Sequence, residues 1–216
     1  MKTLIVITLA TLVAISACSQ KNRKASAEKH LSPKELSKFS QATFAAGCFW
    51  HEEAMFESIK GVKEAVSGYA GGSASNPTYE SIEAGNTGYA ETVNVYYDST
   101  DIDYATLLKI FFAGQDPTQV NGQGPDRGTQ YRTVAFYRNS SEKKMINDYI
   151  KSIQTKYKEP IAAQVMPLTR FWSAEDYHQN YIDKNPMQGY IQSFSIPEIR
   201  KLQKQYPELI KPGHTY

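Results

Sequence analysis

Thiols are scarce in this sequence: 216 residues contain two cysteines, Cys18 and Cys48. That excludes a disulfide framework of the kind that staples small secreted domains. A surplus of either charge is also missing. The chain sets 24 Lys and Arg against 22 Asp and Glu, and no basic run follows the N-terminal region, so nucleic acid is excluded as a partner. Long apolar runs are absent too. The one candidate, Leu4 to Ile15, is 12 residues long, well under the roughly 20 that a bilayer-spanning helix needs. No internal repeat is visible, and metal-ligand spacing is lacking: His30, His51, His178 and His214 lie far apart.

What the opening MKTLIVITLATLVAISACSQ does contain is one early cation, Lys2, an apolar run and then small residues before Cys18. This is the layout of an export signal. The tetrad Ile15, Ser16, Ala17, Cys18 resembles a bacterial lipoprotein box, which implies that Cys18 becomes a lipid anchor. Ser19 in the next position leans toward the outer membrane. The expectation is a bacterial cell-envelope protein, held to the membrane through its lipid alone and facing the periplasm. Residues 1–18 form the signal segment, 19–40 a polar tether and 41–216 one domain, long enough to bury a core without disulfides. Cys48 is then the remaining free thiol, which outside the cytoplasm is either inert in the core or kept for chemistry.

Periodicity predicts the elements. QATFAA (41–46) reads as a buried strand ended by Gly47. Apolar spacing from Cys48 predicts a helix closed by Gly61, and 62–69 a second strand. Residues 73–90 form a long polar excursion. ETVNVYYD (91–98) alternates, which predicts a strand with one face on the core. Asp103 caps a helix whose Tyr104, Leu107, Leu108, Phe111 and Phe112 share a face. A strand over 131–138, a helix over 141–158 and a fifth strand over 161–166 follow, with capping boxes expected at Ser173/Asp176 and Ser195/Glu198. The order strand, helix, strand, strand, helix, strand is that of a ferredoxin-like split βαβ core. The fold class is therefore α+β, with a mixed sheet and C-terminal additions.

Cys48 falls at the first turn of the predicted helix, where free backbone N–H groups and the positive dipole end favour an anion. A thiolate of depressed pKa is expected there. Phe49 and Trp50 beside it suit the wall of an apolar pocket.

Several blocks together carry a resemblance: Gly47-Cys48-Phe49-Trp50, Ser67 to Gly72 (SGYAGG), Asn76 to Tyr79 (NPTY), Thr87 to Glu91 (TGYAE), Asp116 to Gln119 (DPTQ), Gln123 to Arg132 (QGPDRGTQYR) and Ala174 to Gln179 (AEDYHQ). In this order they resemble the A-type peptide methionine sulfoxide reductases, over about residues 42–196. The resemblance implies reduction of methionine-(S)-sulfoxide, protein-bound or free. Cys48 is then the nucleophile and Glu91 the acid that protonates the sulfoxide oxygen. Tyr79 and Tyr131 hold that oxygen, Phe49 and Trp50 grip the S-methyl group, and Asp126 orders the pocket from its rim. Read without it, Glu91 suits a solvated strand edge and Asp126 a turn.

The resemblance implies no bound cofactor. The sulfenic acid left on Cys48 needs a second thiol, and the tail KQYPELIKPGHTY lacks the resolving cysteine found in many relatives. An external thiol reductant is therefore expected, a thioredoxin-like protein or dithiothreitol. Tyr89 and His51 also depart from the usual pattern, in which histidine and glycine are common. A monomer is expected. Two rivals stand: a cysteine hydrolase using His178 with Asp176 or Asn180 as orienter, and a non-catalytic envelope lipoprotein.

Overall fold

Alternating and uniformly apolar runs assemble here into one six-stranded sheet. The structure is a computed structural model that describes residues 31–216; the signal segment, Cys18 and residues 19–30 lie outside the described residues. In chain order the elements are α1 (Pro33–Leu36), β1 (Ser40–Ala45), α2 (Phe49–Glu57), β2 (Val62–Ala70), α3 (Tyr79–Glu83), β3 (Ala90–Tyr97) and α4 (Tyr104–Ala113). They continue with β4 (Gly122–Gln123), β5 (Asp126–Arg127), β6 (Val134–Tyr137), α5 (Ser140–Ile153), β7 (Gln164–Pro167), β8 (Phe171–Ser173), α6 (Tyr181–Lys184) and α7 (Ile196–Gln205).

The strand order is β7-β6-β1-β3-β2-β8. Its inner four, β6-β1-β3-β2, are antiparallel throughout, the arrangement expected of a split βαβ core. The outer strands make the sheet mixed: β7 runs parallel to β6 after the α5 crossover, and β8 pairs antiparallel with β2. On the core side Phe44 of β1 stacks on Phe111 of α4 at 4.6 Å and on Phe56 of α2 at 5.5 Å. Rings in offset contact add to the burial of their area, so α2 and α4 are fastened to the strand that leads to Cys48. Asp103 caps α4 as expected, its side chain accepting from the Thr106 N–H at 2.7 Å.

Elsewhere pairing across the sheet overrides the local pattern. β3 is buried on both faces: its polar face is covered, and Asn94 accepts from Thr43 at 2.6 Å and from Arg138 at 2.7 Å. The excursion over 73–90 contains α3, capped by Thr78. The strand expected from Tyr131 begins at Val134, with Thr129–Tyr131 coiled into a 3₁₀ turn, and the helix expected to reach 158 ends at Ile153. Ser173 caps no helix. It ends β8, paired with Gly68, where a long-range ladder outcompetes the local cap. Ser195 is itself helical, at the end of a π turn (Ile191–Ser195) that runs directly into α7, so its side chain caps nothing. The segment assigned to the tether contains α1, Ser40 already lies in β1, and the Leu31 N–H donates to Glu64 at 2.7 Å.

Candidate active site

Gly47 makes the turn from β1 into α2. Its φ is +70°, a region that disfavours side chains, and an added Cβ would meet Gln123 at 2.8 Å. The turn leaves Cys48 as the N-cap of α2, with its carbonyl accepting from the His51 N–H at 3.1 Å. Because β1 and β3 are antiparallel neighbours in a register that matches Phe44 to Val93, the end of β1 delivers Cys48 to the beginning of β3, where Glu91 lies.

Glu91 is 2% exposed and accepts the Phe49 N–H, one of the free donors of the α2 N-terminus, at 2.9 Å. Burial pushes its carboxyl well above the ordinary range, with the Phe49 N–H pulling back less strongly. Burial thus favours the protonated, neutral form of Glu91 over the carboxylate. It is not the solvated edge charge that its sequence position permits.

Cys48 corrects an expectation. The thiol is 8% exposed, and burial, followed by the Glu91 carboxyl whenever that group is ionised, pushes it well above the usual thiol range. The backbone N–H groups of Trp50 and His51 do favour the thiolate, but desolvation outweighs the helix end. The resting sulfur is a protonated thiol.

Rings surround the pair. Phe49 is 1% exposed and packs into the core rather than standing free, 4.9 Å from the His178 ring and 6.4 Å from Tyr79. Trp50 stacks on Tyr181 at 3.7 Å, and its indole N–H donates to His178 Nδ1 at 3.0 Å. Tyr79 is set by the α3 cap and by Glu175, which accepts from the Tyr79 N–H at 3.0 Å and from the Tyr69 hydroxyl at 2.8 Å. Burial raises the pKa of the Tyr79 and Tyr131 hydroxyls, with Glu91 the next cause for both, so both phenols stay protonated beside it. The Tyr131 hydroxyl donates to Glu83 at 2.9 Å.

On the other side stands Asp126 of β5. It accepts from the Tyr190 hydroxyl at 2.6 Å, and that hydroxyl also lies against the Cys48 sulfur. Burial raises the Asp126 carboxyl, while Tyr190 and the Cys48 N–H act in the opposite direction.

The structure therefore brings Cys48, Phe49, Trp50, Tyr79, Glu91, Asp126 and Tyr131 together. Sequence reading missed Tyr190, Glu83 and Glu175. Glu175 lies inside the AEDYHQ block and had that signal; Tyr190 and Glu83 had none. His178 is a wall of the cluster. Its Nδ1 accepts from Trp50, which puts the proton of the neutral ring on Nε2, and Nε2 has no partner among the described residues, so His178 forms no hydrogen bond to Cys48 and is not set as the base a hydrolase needs. The Tyr89 ring lies where a Cβ on Gly72 would be, and its hydroxyl donates to the Ala74 carbonyl. Among the described residues no three His, Cys, Asp or Glu side chains converge as a metal site.

The peptide methionine sulfoxide reductase family pattern matches residues 40–209. The peptide methionine sulfoxide reductase MsrA of Pasteurella multocida is 45% identical over 171 residues, covering 79% of this chain and 98% of its own. That of Haloquadratum walsbyi is 42% identical over 167 residues, covering 77% and 96%. Among solved structures, reduced Mxr1 from Saccharomyces cerevisiae superposes with a TM-score of 0.66 at 35% identity, covering 74% of this chain and 91% of its own. The chain belongs to the peptide methionine sulfoxide reductase family, in its A-type branch, and is a peptide-methionine (S)-S-oxide reductase.

Proposed function

We propose that Cys48 and Glu91 carry the reaction as a nucleophile and acid pair. The Cys48 sulfur attacks the sulfoxide sulfur while Glu91 delivers its proton to the oxygen, and the thiol proton restores the carboxyl. The products are methionine and a Cys48 sulfenic acid. Two external thiols then give a disulfide, water and the free Cys48 thiol. Tyr79 donates to the oxygen alongside Glu91, and Tyr131 joins it by exchanging Glu83 for substrate. Phe49 and Trp50 hold the methyl group, and Asp126 with Tyr190 fixes the sulfur from the far side.

One observation carries this reading: a buried Glu91 carboxyl, fixed by the Phe49 N–H beside Cys48, in surroundings that favour its protonated form. A neutral acid is what a departing sulfoxide oxygen requires at neutral pH. The test is incubation with separate S and R epimers of a methionine sulfoxide peptide plus dithiothreitol, where methionine is expected from the S epimer alone. Methionine from neither epimer rejects the reading.

The same proposal includes a lipid anchor at Cys18, a monomeric envelope enzyme facing the periplasm and a thioredoxin-like protein as the physiological reductant. The apolar run and the Ile15 to Cys18 tetrad support the anchor. Among the described residues no helix is long and apolar enough to cross a membrane. Palmitate labelling of the wild type that is lost in Cys18→Ala supports the anchor; equal labelling of both rejects it.

A further inference from the structure

A cavity of about 260 Å³ reaches Cys48 from the side away from the aromatic cluster. It shares Cys48 and Asp126 with the site above, and none of Phe49, Trp50, Tyr79, Glu91 or Tyr131 lines it. Its walls come from the end of α4, the loop into β4, the face of α2 one turn past Cys48, and α7.

The chemistry of these walls differs from that of the aromatic side. His51, Gln115, Asp116, Gln119, Glu198 and Lys201 line the cavity. Two of their polar atoms have no partner among the described residues: His51 Nδ1, on a side chain only 6% exposed, and Gln115 Nε2. The other nitrogen of His51 bonds to the Ser195 backbone. Burial lowers the His51 pKa to about 4, with Glu198 and Ser195 opposing, so the ring is neutral at pH 7 and Nδ1 is an acceptor. Buried donors and acceptors left open in this way are costly unless something binds them. Lys201 and Glu198 pair at 3.4 Å, Lys201 exposed and Glu198 partly buried.

We propose that this cavity is the approach by which a small polar thiol of amino-acid size reaches the Cys48 sulfenic acid. This rests on the sulfoxide reductase reading and adds a second door to the same sulfur. The volume lies below the range typical of drug-sized ligands, so a protein cannot enter and a small thiol can. Ammonium and carboxylate groups find Glu198, Asp116 and Lys201, an amide or thiol finds Gln115 and His51, and the sulfur is left facing Cys48. Attack by the thiol forms a mixed disulfide and expels the sulfenic oxygen as water; a second thiol then frees Cys48 as its own disulfide forms. The route suits a chain in which Cys48 is the one cysteine among the described residues.

The experiment separates the two half-reactions. One equivalent of methionine-(S)-sulfoxide without reductant should release one equivalent of methionine; no release rejects the reductase reading itself and not merely this inference. L-cysteine is then added to the sulfenic acid and its consumption timed. Lys201→Trp and Glu198→Trp, at an exposed and a partly buried position on α7, should leave the methionine burst intact and slow reduction by L-cysteine by about tenfold or more, since exchange rates follow access to sulfur. Saturating methionine sulfone, which occupies the aromatic side, should leave that rate unchanged. Wild-type rates in both tryptophan variants, or competition between the sulfone and L-cysteine, overturn the proposal.

Discussion

Glu91 and Glu52 are buried alike, at 2% and 1% exposure, and burial pushes both carboxyls well above the ordinary range. Their neighbours set them apart. Glu91 accepts the Phe49 N–H and stands beside the Cys48 sulfur, whereas neither carboxyl oxygen of Glu52, one turn into α2, has a partner among the described residues. Burial alone favours a neutral acid; under the proposed mechanism only a place beside the Cys48 sulfur makes that acid useful. A perturbed carboxyl is therefore a candidate for catalysis only once its reach is known.

The largest expected effect lies at the sulfur itself. Cys48→Ser should form no methionine above background in the dithiothreitol assay while keeping the wild-type melting temperature within a few degrees. Glu91→Gln should cut turnover by ~10²–10⁴-fold at neutral pH, as loss of a general acid does. The deficit should shrink toward acid pH, where solvent supplies the proton; a deficit constant with pH would remove the acid role. Tyr79→Phe should cost about tenfold in kcat/KM, the worth of one hydrogen bond to a polarised oxygen. Glu52→Met should keep turnover within about twofold and raise the melting temperature, because it removes buried polar atoms that have no partner. A large loss of turnover there would erase the contrast with Glu91.

The smallest effect concerns Glu53, whose carboxyl is raised to about 8, mainly by burial and against the Asn180 N–H. A carboxyl whose folded-state pKa is raised gives full stability below its unfolded value near 4.5, and loses it as pH climbs through about 8. Glu53→Gln should therefore melt at a temperature close to wild type at pH 5 and above it at pH 8.5, as thermal scans would show.

Much of this was legible in sequence because it is locally encoded. The alternation of β3, the five apolar positions of α4 and the Asp103 cap each state their own structure within a few residues. Gly47 and Cys48 announce a turn into a helix. What was not legible depends on partners far along the chain. Ser173 reads as a cap until β2 offers Gly68 as a ladder partner. Tyr190 reads as one tyrosine among 15 until the chain folds it onto Asp126. The protonated thiol escaped for the same reason: a helix end is visible in sequence, but the desolvation that defeats it is a property of the whole packed core.

That Cys48 is the one cysteine among the described residues has a consequence for tempo. Under the proposed mechanism each repaired methionine leaves Cys48 oxidised, with no second cysteine among the described residues to reset it, so throughput is governed by whatever electron donors surround it. Placed in a well-supplied milieu the catalyst cycles; in a starved one it stops after a single event and waits, recording in its own oxidation state how reducing its surroundings are.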